Sequence, residues 1–294
     1  MKHCTRLSTP STRHADAMEL LRWSETLLES TGIIPARAEA RRLWEAVGGD
    51  PPWRLERGAR VVPALAAHYG RLVRARSRRV PLAYLTRSVG FMGFELLVRP
   101  GVFIPRPETE ELAELATSML QRLPPNPRAL DLGTGSGALA CALARARPDV
   151  RVLAVDVALC ALSCARDNAR RLGVSKRVET RRSDWFASVP ERFHLITANP
   201  PYIGSAELCK LEPEVHRHEP PQALCAGKDG LEALRTILAG LPSHLLPGGQ
   251  ALVEIGHGQA QAALALAKGV PGLVETEVRY DMGGRARILA VRWM

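Results

Sequence analysis

The chain has 294 residues, 46% hydrophobic and 24% charged, an ordinary globular composition that excludes collagenous and disordered classes and suits one large domain or two of ~150 residues. Its formal net charge is +10, and lysine occurs only at Lys2, Lys176, Lys210, Lys228 and Lys268, so the cationic surface is arginine; this fits attraction to nucleic acid or to a nucleic-acid-bound partner, and equally a solvated arginine-rich face. No apolar run approaches the ~20 residues of a membrane helix and residues 1–17 lack an apolar signal core, so a soluble, intracellular protein is expected, taken as cytoplasmic and, with no oligomerisation signal read, as a monomer.

The first 10–15 residues are polar and expected to fray. Residues 15–84 then read as helical. Ala17, Leu20, Leu21, Leu27 and Leu28 outline one apolar stripe. Residues 36–47 form a second helix, stopped by Gly48-Gly49-Asp50-Pro51-Pro52, and residues 61–76 a third. Residues 89–98 read as a β-hairpin turning at Met92-Gly93. A helix follows over 108–122, with Pro107 at its first turn.

From there strands and helices alternate. Strands are expected at 129–132, 152–155, 178–181, 195–198, 251–255, 273–280 and 288–293, with helices at 136–145, 158–172 and 231–241. Such βα units imply an α/β fold with a mainly parallel, doubly wound sheet. The division expected is a helical domain over 1–85, a linking hairpin over 86–103 and an α/β domain over 104–294.

Asp131-Leu132-Gly133-Thr134-Gly135-Ser136-Gly137 follows a strand and opens a helix. Glycines there permit a tight turn and close approach of backbone to a ligand. By itself the pattern could serve a dinucleotide or a mere turn. Two later features sharpen it. Asp156 ends the second strand, where a carboxylate can accept from ribose hydroxyls, and Ser183-Asp184-Trp185 follows the third, where an adenine could lie. The D-x-G-x-G-x-G form, in place of G-x-G-x-x-G, points to S-adenosylmethionine rather than NAD.

Asn199-Pro200-Pro201-Tyr202 follows the fourth strand. The prolines stiffen the turn, and an aromatic can stack on a planar group. This suits a planar NH2 substrate. An amide or exocyclic amino nitrogen is a poor nucleophile because its lone pair is delocalised. The Asn199 side-chain oxygen and the Pro200 carbonyl can accept its two N–H bonds and aim it, so catalysis rests on positioning and electrostatics with no strong base or metal.

Further segments join these motifs: Pro81-Leu82-Ala83-Tyr84-Leu85-Thr86, Phe91-Met92-Gly93, Ile104-Pro105-Arg106-Pro107-Glu108-Thr109-Glu110, Glu219-Pro220, Asp229-Gly230-Leu231 and Tyr280-Asp281-Met282-Gly283-Gly284-Arg285. Together they resemble the HemK/PrmC family of release-factor glutamine N5-methyltransferases over nearly the whole chain. The resemblance implies a seven-stranded, Rossmann-like class I methyltransferase sheet with a small helical N-terminal domain for substrate recognition. It implies S-adenosylmethionine as cofactor, leaving as S-adenosylhomocysteine, held by Asp131, Gly133, Thr134, Gly135, Ser136, Gly137, Asp156, Asp184, Trp185 and Asn199. It places the substrate glutamine at Asn199, Pro200, Pro201 and Tyr202, with Phe91 and Arg106 as further cleft residues. The family substrate is the Gly-Gly-Gln loop of class I peptide chain release factors. Asn-Pro-Pro-Tyr alone is shared with amino-methyltransferases of nucleic acid, and glutamine methylation of a ribosomal protein stays open. Nucleic acid is not expected as substrate, since no inserted recognition domain appears.

Three features stay outside this reading. Gly248-Gly249-Gln250 reads as a turn, His216 and His218 as loop polarity, and the six cysteines as reduced, buried thiols, with no zinc spacing. The run Arg71, Arg74, Arg76, Arg78 and Arg79 suits a phosphate or acidic partner, or a solvated helix face.

Overall fold

The computed structural model describes residues 16–50 and 60–294. The polar N-terminal stretch, Cys4 and Pro51-Pro52 lie outside the described residues. The chain divides into two compact units, one of residues 1–87 with 213–218, the other of residues 88–212 with 219–294.

In the first unit, α1 (Ala17–Ser30) starts where the Asp16 carboxylate accepts from the Met18 and Glu19 amides at 2.7 and 3.2 Å, satisfying donors a helix start leaves open. Its stripe of Ala17, Leu20, Leu21 and Leu28 is buried against α2 (Ala36–Ala46) and α3 (Pro63–Ser77), through Leu43, Trp44, Ala66 and Val73. Tyr69 of α3 stacks edge-on with Trp44 at 5.2 Å, and its buried hydroxyl meets Ser24 at 2.6 Å and the Ala40 carbonyl at 3.1 Å. The short α4 (Leu82–Thr86) ends the run. The arginine-rich face is not wholly solvated. Arg76 is buried, held by Glu39 and by Glu214, which also takes Arg79 at 2.9 Å. A guanidinium there is tolerated because two carboxylates neutralise it.

The second unit opens with the hairpin β1 (Ser88–Phe91) and β2 (Phe94–Leu97). Met92 and Gly93 both take positive φ, +48° and +75°, as a two-residue turn matching strand twist requires. Then come α5 (Pro107–Leu120), β3 (Arg128–Leu132), α6 (Ala138–Ala146), β4 (Arg151–Asp156), α7 (Leu159–Arg171), β5 (Val178–Arg182) and β6 (Phe193–Ala198). The chain passes through α8 (Pro213–His218), which groups with the first unit. It finishes with α9 (Glu232–His244), β7 (Leu245–Glu254), α10 (Ala260–Lys268), β8 (Leu273–Tyr280) and β9 (Ala286–Trp293).

The sheet order is β5-β4-β3-β6-β7-β9-β8. Five strands run parallel, and β9 pairs antiparallel with β7 and β8. Side chains alternate between two cores. Ala129, Val152, Leu195 and Leu252 join the α5–α6 side, whereas Leu130, Leu153, Ile196 and Ala251 join the α9–α10 side. Both faces are covered, which is why the central strands read as continuous apolar runs. The helix α10 has no counterpart among the sequence expectations; it buries Ala263 and Ala267, one turn apart, and leaves Gln261, Ala265 and Lys268 exposed. The Gly248-Gly249-Gln250 segment lies within β7, with Gly248 at φ +73°.

Candidate active site

The carboxyl ends of β3, β4 and β6 and the turn after β5 converge on a cleft enclosing about 970 Å³ of empty space, mouth included. Ligands bind at this edge of open α/β sheets, where strand order reverses, here between β3 and β6. Asp131, Gly133, Thr134, Gly135, Ser136, Asp156, Trp185, Asn199 and Pro201 all line it.

Asp131 is 1% exposed. Its carboxyl accepts from the Thr134 hydroxyl at 2.6 Å and the Thr197 hydroxyl at 3.1 Å. Burial pushes it up to about 6, against those two hydrogen bonds. Its visible work is to hold the glycine loop onto β6. Asp156 holds the loop from the other side, accepting from the Gly135 amide at 2.9 Å and the Ala158 amide at 2.9 Å. Burial raises it as well. Gly137 sits at the N-terminus of α6 at φ +83°, and a Cβ there would lie 2.9 Å from the Ala165 side chain. It serves helix packing rather than the cleft wall. Trp185 is held at φ +46° by Ser183, whose hydroxyl donates to the Trp185 carbonyl at 2.8 Å and accepts from the Ser188 amide. Asp184 is exposed and outside the cleft lining.

At the end of β6, the Asn199 Nδ2 donates to the Thr109 hydroxyl at 2.8 Å, and Thr109 donates to Glu254 Oε2 at 2.9 Å. Pro200 is buried. Tyr202 turns its phenol to the Glu254 carboxyl, and burial pushes that phenol up to about 12. Its carbonyl is held by Gln259 Nε2 at 3.0 Å, which also donates to the Gly230 carbonyl at 3.0 Å. A Cβ on Gly230 would stand 2.4 Å from the Tyr202 carbonyl oxygen, so the Asp229-Gly230-Leu231 motif is the close neighbour of the Asn-Pro-Pro-Tyr turn.

Two expected cleft residues lie elsewhere. Phe91 is 1% exposed within the hydrophobic core, edge-on to Phe94 at 5.9 Å, because the hairpin, tied to α7 through Asn168, turns it into that core rather than towards the strand ends. Arg106 pairs with the buried Glu219, whose other oxygen accepts from the Ile104 amide at 3.2 Å, and its guanidinium lies 5.0 Å from the centre of the Phe103 ring. Phe103 lines the cleft and Arg106 braces it from outside the lining. Sequence reasoning missed Phe103, Thr109, Glu254 and Asn168. The last is buried on α7. Its amide accepts from the Leu97 amide at 2.7 Å and donates to the Leu97 and Ser136 carbonyls at 2.8 Å each, tying hairpin to glycine loop.

Of the cysteines, Cys141 and Cys164 are buried, whereas Cys160 and Cys209 are exposed, correcting the expectation of uniformly buried thiols. Among the described residues, no group of three His, Cys, Asp or Glu side chains is placed to hold a metal, and no helix is long and apolar enough to cross a membrane.

The family model described as the methyltransferase small domain matches residues 94–210, and that of the PrmC N-terminal domain matches residues 19–86. The release factor glutamine methyltransferase of Cereibacter sphaeroides is 40% identical over 278 residues, covering 94% of this chain and 98% of that one. The chain belongs to the release factor glutamine methyltransferase family. A second member, from Bordetella pertussis, is 42% identical over 269 residues, covering 90% of this chain and 98% of its own. Among solved structures, a methyltransferase from Pyrococcus furiosus is 18% identical, covers 76% of this chain and 98% of that one, and matches with a TM-score of 0.50, a likeness of fold alone. The protein is thus a methyltransferase of the Rossmann-like class.

Proposed function

We propose that the protein transfers the methyl group of S-adenosylmethionine to the side-chain amide nitrogen of the glutamine in the Gly-Gly-Gln motif of class I peptide chain release factors. The observation that carries this reading is the tethered Asn199. Its Nδ2 is committed to Thr109, which leaves Oδ1 as an acceptor beside the glycine-lined cleft.

The cleft residues fit the cofactor. The loop at Gly133 and Gly135 bears no side chains that would fill the space, the Asp156 carboxylate ends β4 beside it, and the Trp185 ring supplies an apolar wall. Gly133, Gly135, Asp156 and Trp185 would hold the nucleoside and Asp131 would keep the loop in place. When bound, the cofactor supplies a methyl carried on a sulfonium, an electrophile needing no metal.

The rest falls to this chain. Asn199 Oδ1 and the Pro200 carbonyl accept the two amide N–H bonds and aim the nitrogen along the line of transfer. Withdrawing the N–H protons towards acceptors returns electron density to nitrogen, and as the new N–C bond forms one of those protons passes by way of its acceptor to solvent water. Such fixed dipoles, with no reorganisation at the moment of reaction, are the main catalytic term expected here. Phe103 and Trp185 give the cleft apolar lining. The helical unit is read as the part that recognises the release factor, and the enzyme as a cytoplasmic monomer.

The test is to incubate purified protein with methyl-labelled S-adenosylmethionine and unmodified release factor, and to map the label by peptide mass spectrometry. Label on the Gly-Gly-Gln glutamine is expected. Label found instead on a ribosomal protein or on nucleic acid supplied in parallel would overturn the substrate assignment.

A further inference from the structure

We infer that Thr109 and Glu254 are positioning residues for this transfer, a buried hydroxyl–carboxyl pair that fixes which end of the Asn199 amide faces the cleft. The inference rests on the proposed role of Asn199.

An asparagine amide presents an acceptor on one side and two donors on the other, and rotation by half a turn exchanges them. Only one orientation can accept a substrate N–H. Free in the cleft, Asn199 would divide its time between both. The choice is made at Thr109. This residue lies in the first turn of α5, is 3% exposed, and has one hydroxyl proton. That proton goes to Glu254 Oε2 at 2.9 Å. With its proton spent, the Thr109 oxygen can only accept from Asn199, so Nδ2 must face it, at 2.8 Å. Oδ1 is thereby turned to the opposite side.

Glu254 suits this task because it accepts in either protonation state. It ends β7, is 2% exposed, and burial pushes its carboxyl up to about 7. A proton on Oε1 leaves Oε2 free to accept from Thr109. The Tyr202 phenol faces the same carboxyl, and burial together with that carboxyl's charge raises the phenol's pKa. Glu254 reaches Asn199 only through Thr109, and Arg287 and Glu108 face it as nearby charges.

The pair also explains why the motif beginning at Ile104 belongs with the turn at Asn199. Thr109 and Asn199 are 90 residues apart, and Thr109 and Glu254 are 145. A core that needed only volume at Thr109 would accept valine, which has the same shape without the hydroxyl.

The experiment compares Thr109→Val, Thr109→Ser, Glu254→Gln and Glu254→Leu by steady-state kinetics with release factor, and by calorimetric titration of S-adenosylmethionine. Thr109→Val is expected to lower kcat about 100-fold, the scale of one misplaced or lost catalytic hydrogen bond. The cofactor Kd should stay within about twofold, well under the tenfold that 1.4 kcal/mol would produce. Thr109→Ser and Glu254→Gln keep the donor and the acceptor and should restore most of kcat. Glu254→Leu should match Thr109→Val; if it fails to fold, the valine–serine pair still decides. Full kcat in Thr109→Val, or an equal loss in Thr109→Ser, would overturn the inference.

A second readout separates this from the substrate assignment. With asparagine side chains labelled by nitrogen-15, the Asn199 Nδ2 hydrogens should exchange slowly with solvent in the wild type and at least tenfold faster in Thr109→Val, the ratio given by loss of a bond worth about 1.4 kcal/mol. That result needs no substrate. Wild-type protein that protects these hydrogens but methylates no release factor would sink the proposed function alone; unprotected hydrogens would sink the positioning role alone.

Discussion

Replacing Asn168 by alanine should loosen the hairpin and the cofactor loop together. The side chain is fully buried on α7 and makes three hydrogen bonds, accepting from the Leu97 amide and donating to the Leu97 and Ser136 carbonyls. Alanine removes all three and leaves their backbone partners facing an empty volume. A polar group stranded without a partner costs about 1–3 kcal/mol. The Leu97 groups are only partly buried and regain some water, so the sum is about 3 kcal/mol rather than three full penalties. That is a large share of a total stability of about 5–15 kcal/mol. The assay is urea unfolding of wild type, Asn168→Ala and Asn168→Asp, followed by calorimetric titration of S-adenosylmethionine. Asn168→Asp retains the acceptor for the Leu97 amide but sets a carboxylate against two carbonyl oxygens, so it should be no more stable than the alanine variant. Cofactor affinity should fall in both, since Ser136 lines the cleft. A stability loss below about 1 kcal/mol, the value of a single ordinary hydrogen bond, would refute the claim that this amide joins hairpin to loop.

Asn199→Ala should abolish most methyl transfer while S-adenosylmethionine still binds within a few-fold; near-wild-type turnover would remove Asn199 from its assigned role. Asp156→Ala should raise the cofactor Kd by about tenfold or more, because it loses the bond from the Gly135 amide together with the proposed ribose acceptor, and an unchanged Kd in titration would contradict that proposal. Stability should also depend on pH through Glu254. Its folded-state carboxyl lies near 7 against an ordinary 4.5, so between those values the folded state holds more protons than the unfolded. Stability from this group is therefore highest below about pH 4.5, falls as pH rises to about 7, and levels beyond, a drop of about 3 kcal/mol. Asp131, raised to about 6, adds a drop of the same sign that ends lower. Glu254→Gln should flatten the decline between pH 5 and 8 in urea midpoints, and an unaltered slope would show that burial of Glu254 is not its source.

Much of this architecture is written locally. The glycines at 133, 135 and 137 sit where positive φ is required, and Met92-Gly93 closes the hairpin in the conformation such a turn demands. Alternation of strand and helix announced the doubly wound sheet, since strands covered on both faces must be apolar throughout. The ends of β3, β4 and β6 carried Asp131, Asp156 and Asn199 in plain view. The helix α10 is short, nine residues without a capping side chain at its start, and its start and stop signals are weak although one face is buried.

What the sequence could not decide was where a side chain points once the chain is folded. Phe91 lies in a quoted motif and Phe103 directly precedes one, yet the first enters the core and the second lines the cleft, a choice made by tertiary packing rather than by the local sequence. Arg106 carries charge near the site but spends it on Glu219, 113 residues away. Thr109, Glu254 and Asn168 look unremarkable in isolation. Each gains its role only when a distant polar group arrives within hydrogen-bond reach in a place water has left, because there an unpaired donor or acceptor is costly and every partner is fixed by its neighbours. Local sequence therefore determined the strands, the turns and the cofactor loop through backbone conformation and hydrophobic period. The tertiary structure alone decided which polar atoms meet at the reacting edge, since those meetings depend on long-range burial.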